Sequence, residues 1–457
     1  MSSPAVLTRT IASRDSHRPT RPLRSSVLFS LLANGLPPLA SLASAPILAQ
    51  ALGVDARGQV AAATAPLLLA TAVATFGVPA AVTHFVARHP AIERSLVRGG
   101  SVLLLLTGVV TSLGVFAVSA VLADGEERLR GLLLLALLAL VPTLMVGLLR
   151  AVAAGRHAWR CISAAQAITA FVRLGALTVL WSTGRLDVTS AVLVLAAAPV
   201  AGGIAYLSLA RKGGVIRLEP TDAPPGLLAL GSYGMRVWIG SIAGMILLRL
   251  DQTLLTPLSG VEQLGLYVVA ASMAEVPLII TNAVRDVVFS ADSARSDDAR
   301  LLRASRLTTS LTGVAALVVA GAAPFALPRL FGPEFESALP VCLVLLLATV
   351  VGNSLAGIAL SARGRPGLRS GALAVACLVN IALVAMLAPS AGALGAAVAT
   401  LVANAVAGSI TILTFSRLHG VSPLSFLALR PGDLQPLADA ARRMSGRGVS
   451  ASREVAE

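Results

Sequence analysis

Five charged side chains fall inside apolar stretches of this sequence, and these are the residues best placed to do chemistry. Arg173 lies in the middle of one stretch. Arg236 and Arg249 share another, with Asp251 two residues on, and Glu275 sits in the next, two residues before Pro277. An ionisable group in a lipid-spanning segment costs about 3 kcal/mol on insertion scales, so each is a functional candidate by default. Guanidinium groups bind phosphate bidentately, which makes Arg173, Arg236 and Arg249 candidate ligands for an anionic substrate. Glu275, beside a proline that already removes a helix hydrogen bond, and Asp251 are candidates for proton or sodium coupling. Each has a structural alternative: an ion pair or snorkelling to headgroups for Arg236 and Arg249, and a plain hydrogen bond for Glu275. On a regular helix Arg249 and Asp251 are about 200° apart and are expected to face different sides, whereas Arg236 and Asp251 differ by only about 60°. The first half of the chain carries no acid in its apolar stretches, so the buried set has more arginines than carboxylates.

The segments that must hold these residues follow from composition. The chain has 457 residues, 56% hydrophobic and only 13% charged, too apolar for a soluble globule of that size. A lipid-spanning helix needs about 20 apolar residues because lipid offers its backbone no partner. Twelve such spans are expected, at 26–50, 60–86, 99–123, 131–152, 161–182, 188–210, 229–257, 266–288, 306–328, 338–361, 370–388 and 393–416. Arginine alternates from loop to loop. The first tail, the loops holding Arg88 to Arg98, Arg150 to Arg160, Arg211 to Arg217, Arg285 to Arg306 and Arg363 to Arg369, and the last tail carry most of the positive charge. The opposite loops hold only Arg57, Arg128, Arg130, Arg185 and Arg329. By the positive-inside rule both termini are expected in the cytoplasm, in a multi-pass protein of the cytoplasmic membrane.

The same placement excludes several function classes. A net charge of +14 dispersed between apolar runs is membrane topology rather than a nucleic-acid surface. The arginine-poor loops are too short for an outer polymerase or ligase domain, and the single lysine, Lys212, is in no phosphate-binding loop, so ATP-driven transport by this chain alone is not expected. Cys161, Cys342 and Cys377 lack metal or redox spacing and read as packing residues. No catalytic residue, metal or cofactor is expected. Asn34, Asn353, Asn380 and Asn404 and the Gly240-x-x-x-Gly244 pattern read as contacts between helices. Pro37-Pro38, Pro66 and Pro277 mark bends. Residues 434–444 read as a short amphipathic helix on the inner leaflet.

The chain also repeats itself. Gly53-Val54-Asp55-Ala56-Arg57-Gly58 resembles Gly260-Val261-Glu262-Gln263-Leu264-Gly265 at an offset of 207, and Ala153-Ala154-Gly155-Arg156 resembles Ala362-Arg363-Gly364-Arg365 at 209. Each pair links span n to span n+6 on the same side. The expected fold is therefore all-α: a polytopic membrane protein of 12 transmembrane helices in two six-helix lobes, related by a pseudo-two-fold along the membrane normal, with a cavity between them. The expected divisions are a disordered N-tail 1–25, a first lobe 26–210, a linker 211–228, a second lobe 229–416 and a C-tail 417–457.

Several motifs then carry a family resemblance. Arg249-Leu250-Asp251, the run from Gly260 to Tyr267, Leu330-Phe331-Gly332-Pro333-Glu334-Phe335, the run from Ala362 to Pro366, Asn380 and the run from Gly395 to Thr400 occur in order along the chain. The sequence resembles the multidrug/oligosaccharidyl-lipid/polysaccharide exporter superfamily, and within it the polysaccharide-biosynthesis flippases. The resemblance implies a two-lobed, alternating-access transporter with a cationic central cavity that moves a polyprenyl-pyrophosphate-linked oligosaccharide for cell-surface polysaccharide assembly. It implies membrane lipids and glycan polymerase or assembly proteins as partners, no nucleic acid, and a monomer. Twelve spans rather than fourteen argue against a lipid II flippase. The alternative is a proton- or sodium-coupled multidrug exporter of the same superfamily, from which the acid-free first half departs.

Overall fold

The computed structural model describes residues 23–89, 92–208, 227–279, 281–282 and 298–426. The described residues are helical almost throughout, with no strand among them, and nine helical stretches are long and apolar enough to cross a membrane. The apolar runs leave no other choice, since a helix satisfies its own backbone hydrogen bonds where lipid cannot. Three continuous helices are unusually long: Leu23–Ala74, Leu227–Ala274 and Pro366–His419. Each is broken at one glycine, Gly53 (φ 76°, ψ −177°), Gly260 (φ 84°, ψ 171°) and Gly392 (φ 55°, ψ −135°). Residues with a Cβ rarely adopt these angles, so glycine sets the place where the chain turns back into the membrane. Counting each side of these breaks as a segment turns nine into twelve.

The repeat is written in the backbone. Positive φ recurs at junctions that share the offset of the first sequence match: Gly53 with Gly260, Gly125 with Gly332, and His157 with Gly364. The last pair corrects the register of the second sequence match from 209 to 207. Both helix ends close with the same six-residue bond, Ala158 N donating to Ala153 O at 2.8 Å and Arg365 N to Leu360 O at 2.9 Å. The equivalent arginines also do the same work. Arg156 clasps Glu93 at 2.5 Å, and its repeat partner Arg363 clasps Asp298, so in each half one arginine ties the junction between the fourth and fifth spans to the start of the third span.

Two apolar clusters follow the halves. One is built from residues between Leu48 and Ala196. The other is built mostly from residues between Leu255 and Ala399, with Ala45, Ala49, Ala61, Ala62, Ala123 and Leu129 reaching in from the first half. Where the halves meet, glycine allows backbone to touch backbone. A Cβ on Gly58 would fall 1.9 Å from the Val261 carbonyl oxygen, and one on Gly265 would fall 2.3 Å from that of Val54. This seam lies toward the arginine-poor face. A second seam lies toward the arginine-rich face, where a Cβ on Gly77 would fall 2.0 Å from the Gly234 carbonyl oxygen. There Trp238 Nε1 donates to Ala72 O at 3.2 Å and the Phe76 and Trp238 rings lie 4.9 Å apart. Span two is interrupted at this seam, with Phe76 and Gly77 at φ 46° and 70°.

Expected glue contacts are partly present. Asn353 Nδ2 donates to Thr312 at 2.6 Å and Asn404 Nδ2 to Ala348 O at 3.2 Å. Asn380 is buried, but its Nδ2 has no partner. Gly244 has nothing nearer than a leucine methyl at 3.8 Å. The close approaches are made by Gly58, Gly265, Gly77 and Gly234 instead. The side chains of Asn34 and Arg236, the surroundings of Gly240, residues 211–226 of the linker, the loop around Arg285 and Arg295 and the 434–444 segment lie outside the described residues.

Candidate functional site

A cavity of about 370 Å³ is lined almost wholly by the second half, with span one of the first half on one wall. Span one lines it with Pro38 and Ser41, span seven with Arg249, Asp251 and Gln252, span eight with Tyr267 and Glu275, span ten with Asn353, and span twelve with Thr400 and Asn404. Arg249 and Asp251 thus border one cavity, against the expectation from their angular separation. The helix is not broken there; the cavity wraps around it.

The two acids have different surroundings. Asp251 is buried, at 3% exposure. Its carboxylate accepts from the Tyr267 hydroxyl, from Thr400 Oγ1 at 3.2 Å and from the Gln252 backbone N–H at 2.7 Å. Three spans are therefore pinned by one carboxylate. Glu275 is open to the cavity, its side chain 49% exposed, with Oε1 3.8 Å from Arg249 Nη2. The helix ends at Ala274 and Glu275 occupies the break. Pro277 is the cause, since it can donate no backbone hydrogen bond. Arg249 reaches Gln252 Oε1 at 3.3 Å with its other terminal nitrogen.

Arg173 stands behind Ser41, to whose hydroxyl its Nη2 donates at 3.4 Å. Arg249 and Glu275 are both within its electrostatic reach. Arg57, expected on an arginine-poor loop, is instead buried at 7% exposure and lies within electrostatic reach of Arg173. One sequence signal anticipated this: its repeat partner is Leu264, which is completely buried. Four arginine positions against two carboxylates now make up the charged set, with the Arg236 side chain outside the described residues.

The profile of the family described as polysaccharide biosynthesis protein matches residues 23–289. The chain belongs to this family. Among solved structures it is similar to the lipid II flippase MurJ in an inward closed conformation, with a TM-score of 0.67 at 13% identity, covering 88% of this chain and 89% of that one. It is also similar to an inward-facing multidrug resistance MATE family transporter of the same exporter superfamily, with a TM-score of 0.63 at 12% identity over 86% and 96% of the two chains. A superfamily transporter from Pyrococcus furiosus gives 0.56 at 14% identity over 86% and 94%. No curated protein matches the sequence at a significant level. These structural likenesses show the fold, that of the exporter superfamily with its two helical lobes, and the family supplies the class. This polysaccharide biosynthesis family member is a multi-pass membrane protein with the fold those transporters share.

Proposed function

We propose that this protein moves a polyprenyl-pyrophosphate-linked oligosaccharide across the cytoplasmic membrane by alternating access, for cell-surface polysaccharide assembly, with both termini in the cytoplasm. The observation that carries the reading is Arg249 at the wall of a cavity that span one shares with the second half, with Arg173 behind Ser41 and no acid in the first half's spans. Guanidinium forks match the oxygens of a pyrophosphate and would hold it while the glycan fills the polar cavity. The family description and the likeness to a lipid II flippase support the same cargo class. Glycan polymerase and assembly proteins, together with membrane lipids, are its expected partners, and the monomer its working unit.

Deleting the gene in a strain without a second flippase should abolish surface polysaccharide and accumulate the lipid-linked precursor on the cytoplasmic side. Intact polysaccharide with no accumulated precursor would remove the cargo assignment. A second reading, a proton- or sodium-coupled exporter of small cationic compounds, is favoured by one feature, the exposed Glu275 carboxylate beside Arg249. It requires drug susceptibility to change on deletion and on overexpression, whereas the flippase reading requires no such change.

A further inference from the structure

We propose that Thr349 is a positioning residue for transport: from span ten it holds the break in span eight that sets Glu275 against Arg249, and so governs how readily Arg249 is released to an anionic cargo. For the role of Arg249 this rests on the flippase reading. The helix that enters span eight ends at Ala274. Span ten is interrupted too, between Leu339–Gly352 and Ala356–Ala362, with Asn353 in the gap. At a helix end the last carbonyls lose their intrahelical donors, and Pro277 removes one more. The turn that follows tightens, Leu278 N donating to Glu275 O at 3.0 Å. Thr349, one turn before the gap in span ten, places its hydroxyl 3.2 Å from the Ala274 carbonyl oxygen, in the peptide that leads directly into Glu275. The same hydroxyl is 3.0 Å from the Leu345 carbonyl of its own helix, so one proton bridges the two spans.

A second link follows the break. Asn353 Nδ2 donates to Thr312 Oγ1 at 2.6 Å, the Thr312 and Thr281 hydroxyls are 2.7 Å apart, and the Thr281 hydroxyl donates to Pro277 O at 3.0 Å. Span ten therefore grips span eight on both sides of Glu275, and Thr349 makes the direct grip. Thr349, Glu275 and Arg249 border the same cavity, where Glu275 Oε1 lies 3.8 Å from Arg249 Nη2. A carboxylate there offers the guanidinium the same charged acceptor that a phosphate would, so Glu275 and an anionic cargo compete for Arg249. Loosening the grip of Thr349 lets Glu275 turn away and leaves Arg249 more cationic. The cargo then binds more tightly and leaves more slowly.

The test is transfer of a short-chain polyprenyl-pyrophosphate disaccharide by the full-length protein in proteoliposomes, with KM and kcat separated. The variants are Thr349→Val, which keeps the branched shape and loses the hydroxyl, Thr349→Ser, which keeps the hydroxyl, Glu275→Gln, and Glu275→Gln combined with Thr349→Val. Thr349→Val should lower KM and kcat together, KM by about fivefold, the factor that one net hydrogen bond supplies. Thr349→Ser should restore both. Glu275→Gln should also lower KM, and adding Thr349→Val should lower it no further, because both changes act through one ion pair. A threonine that only supports the fold would reduce the yield of folded protein and leave KM alone. A second readout is independent of cargo: labelling of Glu275→Cys by a soluble thiol reagent in detergent, above the background of the native Cys161, Cys342 and Cys377. It should slow about fivefold with Thr349→Val and recover with Thr349→Ser. Unchanged labelling overturns the proposal, as does an unchanged KM in Thr349→Val where Glu275→Gln shifts it, or additive effects in the double variant. If labelling slows while neither Glu275→Gln nor Thr349→Val alters KM, the positioning of Glu275 by Thr349 stands and the reading of Arg249 as the cargo's ligand falls.

Discussion

Gly58 and Gly265 are repeat partners and pack reciprocally, each against the carbonyl of the residue four before the other, Val261 and Val54. A contact in which i meets j and j meets i is what a two-fold relation between halves produces. It places the pseudo-symmetry axis at this seam and gives the two halves a backbone-to-backbone junction that no larger residue fits.

The first expectation concerns that junction. Gly58→Ala and Gly265→Ala should each destabilise the protein by about 1–3 kcal/mol, the usual cost of overpacking. The double variant should cost less than the sum because both changes open the same seam. Gly114→Ala, with open space around it, should be neutral or slightly stabilising. Unfolding temperatures of the four proteins check this, and additive effects would contradict it.

The second concerns the opposite seam. Trp238→Phe keeps the ring beside Phe76 but loses the bond to the Ala72 carbonyl. A net hydrogen bond contributes about 1 kcal/mol, so the equilibrium for parting this seam should shift roughly fivefold. Labelling of a cysteine at Ser41, on the cavity wall, by a membrane-impermeant reagent from the arginine-rich side should quicken accordingly. Unchanged labelling would mean that the halves do not part here.

The two carboxylates should separate by phenotype. Tyr267→Phe leaves the buried Asp251 without one of its donors and should cost about 1–3 kcal/mol of stability. Glu275→Gln, on an exposed side chain 3.8 Å from Arg249, should change stability by less than about 1 kcal/mol. On the ion-coupled reading, transport should nonetheless lose its dependence on the proton or sodium gradient. Equal stability losses in the two variants would contradict this division.

Stability should also depend on acid at one helix start. Asp187 caps span six in a capping box with Ser190, its Oδ1 accepting from Ser190 N at 2.9 Å. The Ser190 hydroxyl and backbone N–H hold its carboxyl below the ordinary value of 3.8. A depressed folded-state value means that this stabilisation is present above the ordinary range and is lost as pH falls through and below it. Asp187→Ala should cost about 1 kcal/mol at neutral pH, and the gap to wild type should close on acidification below about pH 4. A gap that stays constant down to pH 2 would rule the cap out as its source.

Much of this was legible in the sequence, for physical reasons. Lipid forces helices of a minimum length, and the arginine alternation is the signal that predicts twelve crossings. Gly53 and Gly260 were visible as repeat partners because their conformation admits no other residue. The 209 offset erred because it matched Gly155 to Gly364 by residue type, whereas the left-handed position in the first half is His157. In the site, Arg249, Asp251 and Glu275 were legible as expensive charges. Arg57 was not, since a charge beside a glycine turn looks like a loop. What separates Asp251 from Glu275 is the Tyr267 and Thr400 hydroxyls arriving from other spans, which no local pattern encodes.

The central claim is that the arginines beside the cavity carry a pyrophosphate-linked lipid across the membrane. Its most direct measurement is leaflet-to-leaflet transfer of a short-chain polyprenyl-pyrophosphate disaccharide in proteoliposomes of wild type, Arg249→Ala and Arg173→Ala. The wild type should transfer the lipid, and each variant should lose about tenfold or more of the rate, as expected for one charge-assisted phosphate contact, with its unfolding temperature preserved. Full transfer by both variants, or transfer of a cationic dye but not of the lipid by the wild type, would contradict it.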